Sequence, residues 1–308
     1  MNNINYMILC LQYMLEKLKL RRMDDKKYLS FQFYRKMKKE LNLDNPITFN
    51  EKLQWLKLYD RQDYYTKLVD KNLAKETIGK IIGNEYIIPT LGVYEKFEDI
   101  DFSKLPEKFV IKCTHDSGGI VICKDKSKLD LKKAKKKIDK SLKNNYYYQW
   151  REWPYKNIEP KIIIEQYMDD GLNSQLNDYK MMCFNGKVKC SFVCTDRDNK
   201  EEGLAVTFYD INWNKMPFRR HYRNDEKEIE KPKNYEKMIE LTEKICKEIK
   251  FARIDWYEIK GKLYFGEVTF FPGAGMEEFE PYEYDIKLGN MIDLGEKNER
   301  NNSINVNI

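Results

Sequence analysis

The 308-residue chain is 42% hydrophobic and 34% charged, with 56 Lys and Arg against 50 Asp and Glu and a formal net charge of +6. Only 14 Gly and 9 Pro are present, so a collagen-like or disordered chain is excluded, and a chain of this length buries roughly three quarters of its unfolded surface in one large or two modest domains. The 7 Cys include no CxxC pair and the only His are His115 and His221, which argues against a disulfide framework or a zinc site and for a reduced, cytoplasmic setting.

In chain order, residues 6–20 are apolar but broken by Gln12, Glu16, Lys17 and Lys19, short of the roughly 18 residues a membrane helix needs. No secretory signal is read, because the start is Asn-rich and no small-residue cleavage site follows. An amphipathic docking helix is expected there, with peripheral contact of residues 1–25 at the inner face of the membrane, aided by Arg21 and Arg22, as the lesser reading. The pattern stays helical to about residue 75, with Thr48 or Asn50 capping one helix and Asp63 the next. After Gly83, residues 86–91, 109–113 and 120–123 are short β-rich runs between Gly, Pro and Asp punctuation.

Residues 124–143 hold ten Lys and three Asp, yet Leu131, Ala134, Ile138 and Leu142 recur at helical spacing. The lysines therefore read as the solvated face of an amphipathic helix, not as a nucleic-acid patch. A buried strand is expected at 162–165, then strands at 179–184, 188–194, 205–209, 253–259 and 262–269. Asn185-Gly186 and Lys260-Gly261 sit where tight hairpin turns belong, and a helix carries Tyr235, Met238, Ile239, Thr242, Cys246 and Ile249 on one face. The fold class expected is α+β: a helical region at 1–80, lobes at 81–165 and 166–292, and a loose tail at 293–308.

Four segments carry chemistry. In Lys112-Cys-Thr-His-Asp-Ser-Gly-Gly119 a strand ends at Lys112 and a small-residue loop follows, whose N–H groups can form an anion nest. In Lys161-Ile-Ile-Ile-Glu165 an apolar strand ends in a carboxylate that needs a polar partner, or else faces water. The segment 252–275 reads as a hairpin in which Arg253 and Asp255 share one face and Glu267 and Thr269 share another. Two carboxylates on adjacent strands suit Mg²⁺ held jointly by protein and phosphates, while Arg253 can steady charge in phosphoryl transfer. Upstream, Asp70-Lys71 places a lysine on or near a helix.

The order of these segments resembles the ATP-grasp superfamily. More narrowly, Thr48-Phe-Asn-Glu-Lys-Leu-Gln-Trp55, the glycine loop, Arg151-Glu-Trp-Pro-Tyr155 and Phe265-Gly-Glu-Val-Thr-Phe-Phe-Pro-Gly273 resemble the TupA-like branch, named for teichuronopeptide biosynthesis and associated with cell-surface polysaccharides. The resemblance, over about 25–290, implies ATP held between two α+β lobes. Lys71 and Lys112 would contact its phosphates, with Asp178 and Lys180 also at the nucleotide, and Ser117, Gly118 and Gly119 would form the lid. Glu165, Gln166 and Met168 would take the adenine edge, Asp255, Glu267 and Thr269 would hold Mg²⁺, and Arg253, Lys112 and His115 would act in catalysis, with Asp116 a further loop candidate. Thr269 stands where most of the superfamily has Asn, and helices replace the usual first α/β lobe.

The implied chemistry is joining of a carboxylate to an amine through an acyl phosphate, one partner being a glycan or its precursor. Arg151, Arg197, Arg219 and Arg220, with Trp150, Trp153 and Trp213, are suitable residue types for an acidic glycan, and core aromatics with surface arginines are the bland alternative. A rival enzyme class is a glycosyltransferase using Asp196 and Asp198 as a D-x-D metal site; a non-catalytic ATP-grasp-like binding module is a third reading.

Overall fold

The computed structural model describes residues 20–169, 171, 176–196 and 203–295. Four helices lead: α1 (Asp25–Met37), α2 (Phe49–Tyr59), α3 (Asp63–Val69) and α4 (Lys71–Ile82). Helix α2 starts at a reciprocal cap. Thr48 accepts from the Glu51 N–H, and Glu51 accepts from the Thr48 N–H. Asn50 lies inside the first turn instead, donating its backbone and side-chain N–H to Asp285 at 3.0 and 2.9 Å. Asp63 is the first residue of α3 and makes no cap, whereas Asp70 caps α4 by accepting from Asn72 and Leu73.

A first antiparallel sheet has the order β1 (Thr90–Tyr94), β4 (Ile162–Gln166), β2 (Phe109–Cys113), β3 (Ile120–Cys123). Between β3 and β4 lie α5 (Leu131–Leu142) and the single turn α6 (Tyr147–Trp150). Helix α5 buries Ala134 and Ile138 against Phe109, Ile111, Ile162 and Ile164, which leaves its lysines outward, as its periodicity implies. The strand expected at 86–91 begins only at Thr90, because Asn84–Tyr86 is a 3₁₀ turn after Gly83 at φ 110°. Ile87 instead bridges to Phe265 of the other sheet.

That second sheet is antiparallel, with β5 (Asp178–Phe184), β6 (Lys187–Thr195), β7 (Ala205–Asp210), β9 (Phe251–Ile259) and β10 (Lys262–Thr269) in the order β10-β9-β5-β6-β7. Both hairpin turns have two successive left-handed residues, Asn185 at 48° with Gly186 at 76° and Lys260 at 52° with Gly261 at 76°. This conformation matches strand twist and favours Gly at the second place. A two-stranded ribbon joins β8 (Arg219–Arg220) to β11 (Phe279–Glu280), and α7 (Tyr235–Ile245) and α8 (Glu283–Asn290) complete the chain.

The helical front is not a separate layer. Leu29, Phe49, Leu53, Leu68 and Ile78 share one apolar core with Met181, Phe184, Phe251 and Ile254 of the second sheet, while the first sheet closes its own core with α5. Among the described residues no helix is long and apolar enough to cross a membrane, and the docking helix and tail expected at the two ends lie largely outside them.

Candidate active site

A cavity of about 270 Å³ opens where α4, the end of β4 and the β9–β10 hairpin meet. Helix α4 contributes Lys71 and, one turn on, Lys75, because residues four apart share a helix face. Strand β2 contributes Lys112, on the face opposite the buried Phe109 and Ile111. Two of the three lysines hold the strand-end carboxylate of Glu165. Lys75 Nζ lies 2.6 Å from Glu165 Oε1 and Lys112 Nζ 2.5 Å from Oε2. Burial pushes the Glu165 carboxyl up, but Lys112 and Lys75 outweigh it and bring it down to about 2. Burial lowers Lys75 and Lys71 against the pull of the nearby carboxylates.

The glycine loop is anchored from both sides. Lys71 N–H donates to the Thr114 carbonyl at 3.1 Å and its Nζ to the Asp116 carbonyl. The Asp116 carboxylate accepts from the Gly119 N–H at 3.1 Å and from the Ser141 hydroxyl. A Cβ on Gly119 would crowd Ser141 Oγ and fall 2.7 Å from Cys113 Sγ, whereas one on Gly118 would meet nothing. Close packing therefore requires the second glycine, and its N–H is held internally by Asp116. Ser117 and Gly119 line the cavity.

Across the cavity the hairpin register breaks between Phe265 and Val268, so Gly266 and Glu267 bulge beside Asp255. A Cβ on Gly266 would lie 3.1 Å from the Asp255 carbonyl, which accounts for glycine there. Arg253 grips Asp255 through Nε–Oδ1 at 2.6 Å and Nη2–Oδ2 at 2.8 Å, and reaches Glu267 Oε1 at 3.0 Å. Lys180 bridges Asp178, at 2.7 Å, and Asp255. Burial raises the Asp255 carboxyl, opposed by Arg253 and Lys180. Glu267, half exposed at the mouth, is pushed up by desolvation but ends below its ordinary value because Arg253, Lys180 and Lys71 dominate. Thr269 pairs in register with Arg253 and donates weakly to Glu267 at 3.4 Å.

Five expected site residues have surroundings other than those expected. His115 is 2% exposed, and its Nε2 lies 3.1 and 2.9 Å from the carbonyls of Ser141 and Asn144, so it ties the loop to the end of α5 and does not line the cavity. Glu165 has both carboxylate oxygens on lysines, which takes it away from an adenine amine. The Gln166 N–H, the other adenine contact expected, is taken by the Pro89 carbonyl at 3.0 Å, and neither Gln166 nor Met168 is in the cavity wall. Arg151, 1% exposed, donates to the carbonyls of Leu20, Arg21 and Met23 and pairs with Asp25, so it docks the start of α1.

Among the other glycan candidates, Arg219 pairs at the surface with Glu280 and Arg220 is buried against Pro272. Trp213 stacks on Tyr209 at 4.3 Å and donates to the Ile229 carbonyl, a core role. Arg197 and Asp198 lie outside the described residues, and Asp196 is held by Arg223 at 2.7 Å.

Two features escaped sequence reasoning. Lys75 could have been found from its four-residue spacing to Lys71. A second cavity, about 710 Å³, could not, because it depends on how the loop after β10 lies against α6. It shares Asp116, Ser117, Tyr155 and Glu267 with the first and adds Glu152, Arg253 and Thr269.

A cavity walled by lysines, beside a buried hairpin carrying Asp255 and Glu267, is where the comparisons with known proteins bear. A family model described as TupA-like ATPgrasp matches residues 51–293, from the first turn of α2 to just past α8. The chain belongs to the TupA-like ATP-grasp family. The matched stretch takes in every residue of the lysine cavity, so the helical front from α2 onward is part of the family unit. Among solved structures, the chain is similar to a D-alanine–D-alanine ligase from Bacillus anthracis complexed with ATP, at 18% identity and a TM-score of 0.42, covering 78% of this chain and 66% of that one. It is also similar to the Helicobacter pylori D-alanine–D-alanine ligase (14% identity, TM-score 0.42, 79% and 69% covered). An L-amino acid ligase from Bacillus licheniformis gives 15% identity and a TM-score of 0.42, with 69% of this chain and 43% of that chain covered. The chain thus spans about two thirds or less of the length of the Bacillus ligases it matches. No curated protein matches it.

Proposed function

We propose that this protein is an ATP-dependent carboxylate–amine ligase that forms an amide through an acyl phosphate. The observation that carries the reading is the convergence of Lys71, Lys75, Lys112 and Lys180 on one cavity whose wall also holds Asp255 and Glu267, the pair that Arg253 grips. Four ammonium groups in a small, partly buried space are costly unless matched by anions, and a triphosphate supplies several. Glu165 and Asp255 provide that match internally here, so phosphate binding would exchange one set of anions for another.

The donor set also fits Mg²⁺. Asp255 and Glu267 offer hard carboxylate oxygens side by side, with the Thr269 hydroxyl near Glu267, although among the described residues no group of three His, Cys, Asp or Glu is arranged to hold a metal. Such a site is completed by phosphate oxygens and water, and the ion, when bound, would neutralise charge on the phosphates. Lys112 and Lys75 would orient the phosphates once they leave Glu165. Arg253, fixed by two carboxylates, would stabilise the charge that develops as a substrate carboxylate takes the terminal phosphoryl group. Cradling and alignment suffice for this chemistry.

The substrate side of the proposal is a cell-surface glycan or its precursor, worked on at the cytoplasmic side, as the family's association with such polymers suggests. A groove of about 1010 Å³ beside the glycine loop supports it better than the arginines first considered, since Arg21, Lys137, Lys140, Tyr146 and Tyr148 line it with cations and aromatic faces. The test is a screen of acids, uronate sugars included, against amines for ADP release. Release that needs both an acid and an amine supports the proposal; ADP release independent of either removes it.

A further inference from the structure

The motif Arg151-Glu-Trp-Pro-Tyr155 carries a carboxylate between two residues of known place. Arg151 docks α1 and Tyr155 separates the two cavities, but Glu152 does neither. It is 4% exposed and lines the second cavity, and while its backbone carbonyl accepts from the Tyr155 N–H at 3.1 Å, its carboxylate accepts no hydrogen bond from the described residues. A buried carboxylate without a donor is expensive, by several kcal/mol. Its countercharge, Lys57, is fully buried and gives two of its three donors to Gln54 Oε1 at 3.1 Å and the Ala274 carbonyl at 2.8 Å. Glu267, Glu277 and Glu278 add to the acidic wall, and the lysines of this cavity, Lys36 and Lys38, are exposed at its rim. Arg253 is already committed to Asp255 and Glu267.

We propose that Glu152 binds the ammonium group of the amine acceptor in the second cavity and takes one of its protons, freeing the nitrogen to attack. The inference rests on the ligase reading above. Tyr155 and Glu267 line both cavities, so an amine held at Glu152 faces the phosphate end of the first. The amine nitrogen forms a bond to the acyl carbon, the bond from that carbon to the phosphate oxygen breaks, and the electron pair leaves with inorganic phosphate. The ammonium first gives one proton to the Glu152 carboxylate, which frees the nitrogen lone pair for attack, and the second proton lost by nitrogen leaves with the departing phosphate. Burial pushes that carboxyl up, to about 7, against the pull of Lys57, which suits a base working near neutral pH.

The experiment uses the full chain with Glu152→Gln and Glu152→Asp, Mg-ATP and a panel of carboxylic acids, and compares two nucleophiles. Hydroxylamine is largely unprotonated at neutral pH and traps an acyl phosphate without help from a base, whereas glycine and ethanolamine arrive as ammonium ions. Glu152→Gln is expected to keep hydroxamate formation within about twofold while amide formation falls about 100-fold or more, with partial recovery in Glu152→Asp. Equal loss with both nucleophiles, or undiminished amide formation, overturns the proposal. Wild-type protein that yields no hydroxamate with any acid removes the ligase reading, and a second measurement still tests the amine site. In protein carrying ¹³C-labelled Glu, the carboxyl signal missing from Glu152→Gln is expected to shift with ethylammonium and not with ethanol. A signal that ignores ethylammonium overturns it.

Discussion

Replacing Glu165 with Gln keeps the shape of the side chain and removes the charge that holds Lys75 and Lys112. The carboxyl titrates at about 2 in the folded protein against an ordinary 4.5, a difference worth about 3 kcal/mol at neutral pH. Burial lowers Lys75 even beside Glu165, which takes back part of that gain. The expected net loss for Glu165→Gln is therefore about 2 kcal/mol, or about 3 °C in Tm for a 308-residue chain. The sign with pH follows from the depressed value. The stabilisation is complete above the unfolded carboxyl's titration and is lost as pH falls through about 2. Thermal melts followed by circular dichroism at pH 7 and pH 3 would read both effects: a clear gap between wild type and variant at pH 7 and a narrower one at pH 3. Equal Tm values at pH 7, or a gap that widens on acidification, would refute the reasoning.

Other consequences are as specific. Gly119→Ala forces a Cβ against Ser141 and Cys113 and should cost about 1–3 kcal/mol in urea unfolding, while Gly118→Ala, with open space around it, should be nearly silent. Lys75→Ala should weaken Mg-ATP binding about tenfold by calorimetry, since it removes one charged phosphate contact and leaves Glu165 to hold Lys112 more tightly. Arg151→Met removes the buried guanidinium that holds the Leu20, Arg21 and Met23 carbonyls and Asp25, and should expose the chain near Leu20 and Met23 to limited proteolysis. Unchanged cleavage there would mean that α1 is docked by other contacts.

Local patterns made most of the strands readable. Alternation over β9 and β10 and the Asn-Gly and Lys-Gly turns locate those hairpins because side-chain period and turn conformation are properties of a few adjacent residues. Lys112, Asp255 and Glu267 stand on short strands that local pattern locates, whereas Lys71 joins them only through the family resemblance. What partners they meet was not readable. Glu165 follows three isoleucines and looks like a strand end, yet its two lysines come from β2 and α4, a pairing that only sheet order and helix docking create. His115 sits in a loop of small residues that suggests exposure, but α5 closes over it. Arg151 carries the charge of a ligand contact and instead satisfies three helix-end carbonyls more than a hundred positions away. In each case burial decided the role, and burial is set by distant chain.

The central claim is that the lysine cavity is a nucleotide-phosphate site completed by the hairpin carboxylates. Calorimetric titration with Mg-ATP, and in parallel with UDP-sugars, tests it on wild type, Lys112→Ala and Glu267→Ala. The account expects Mg-ATP to bind wild-type protein and both substitutions to abolish or greatly weaken it, with UDP-sugars inert. Binding of UDP-sugars alone, unaffected by either substitution, would contradict it.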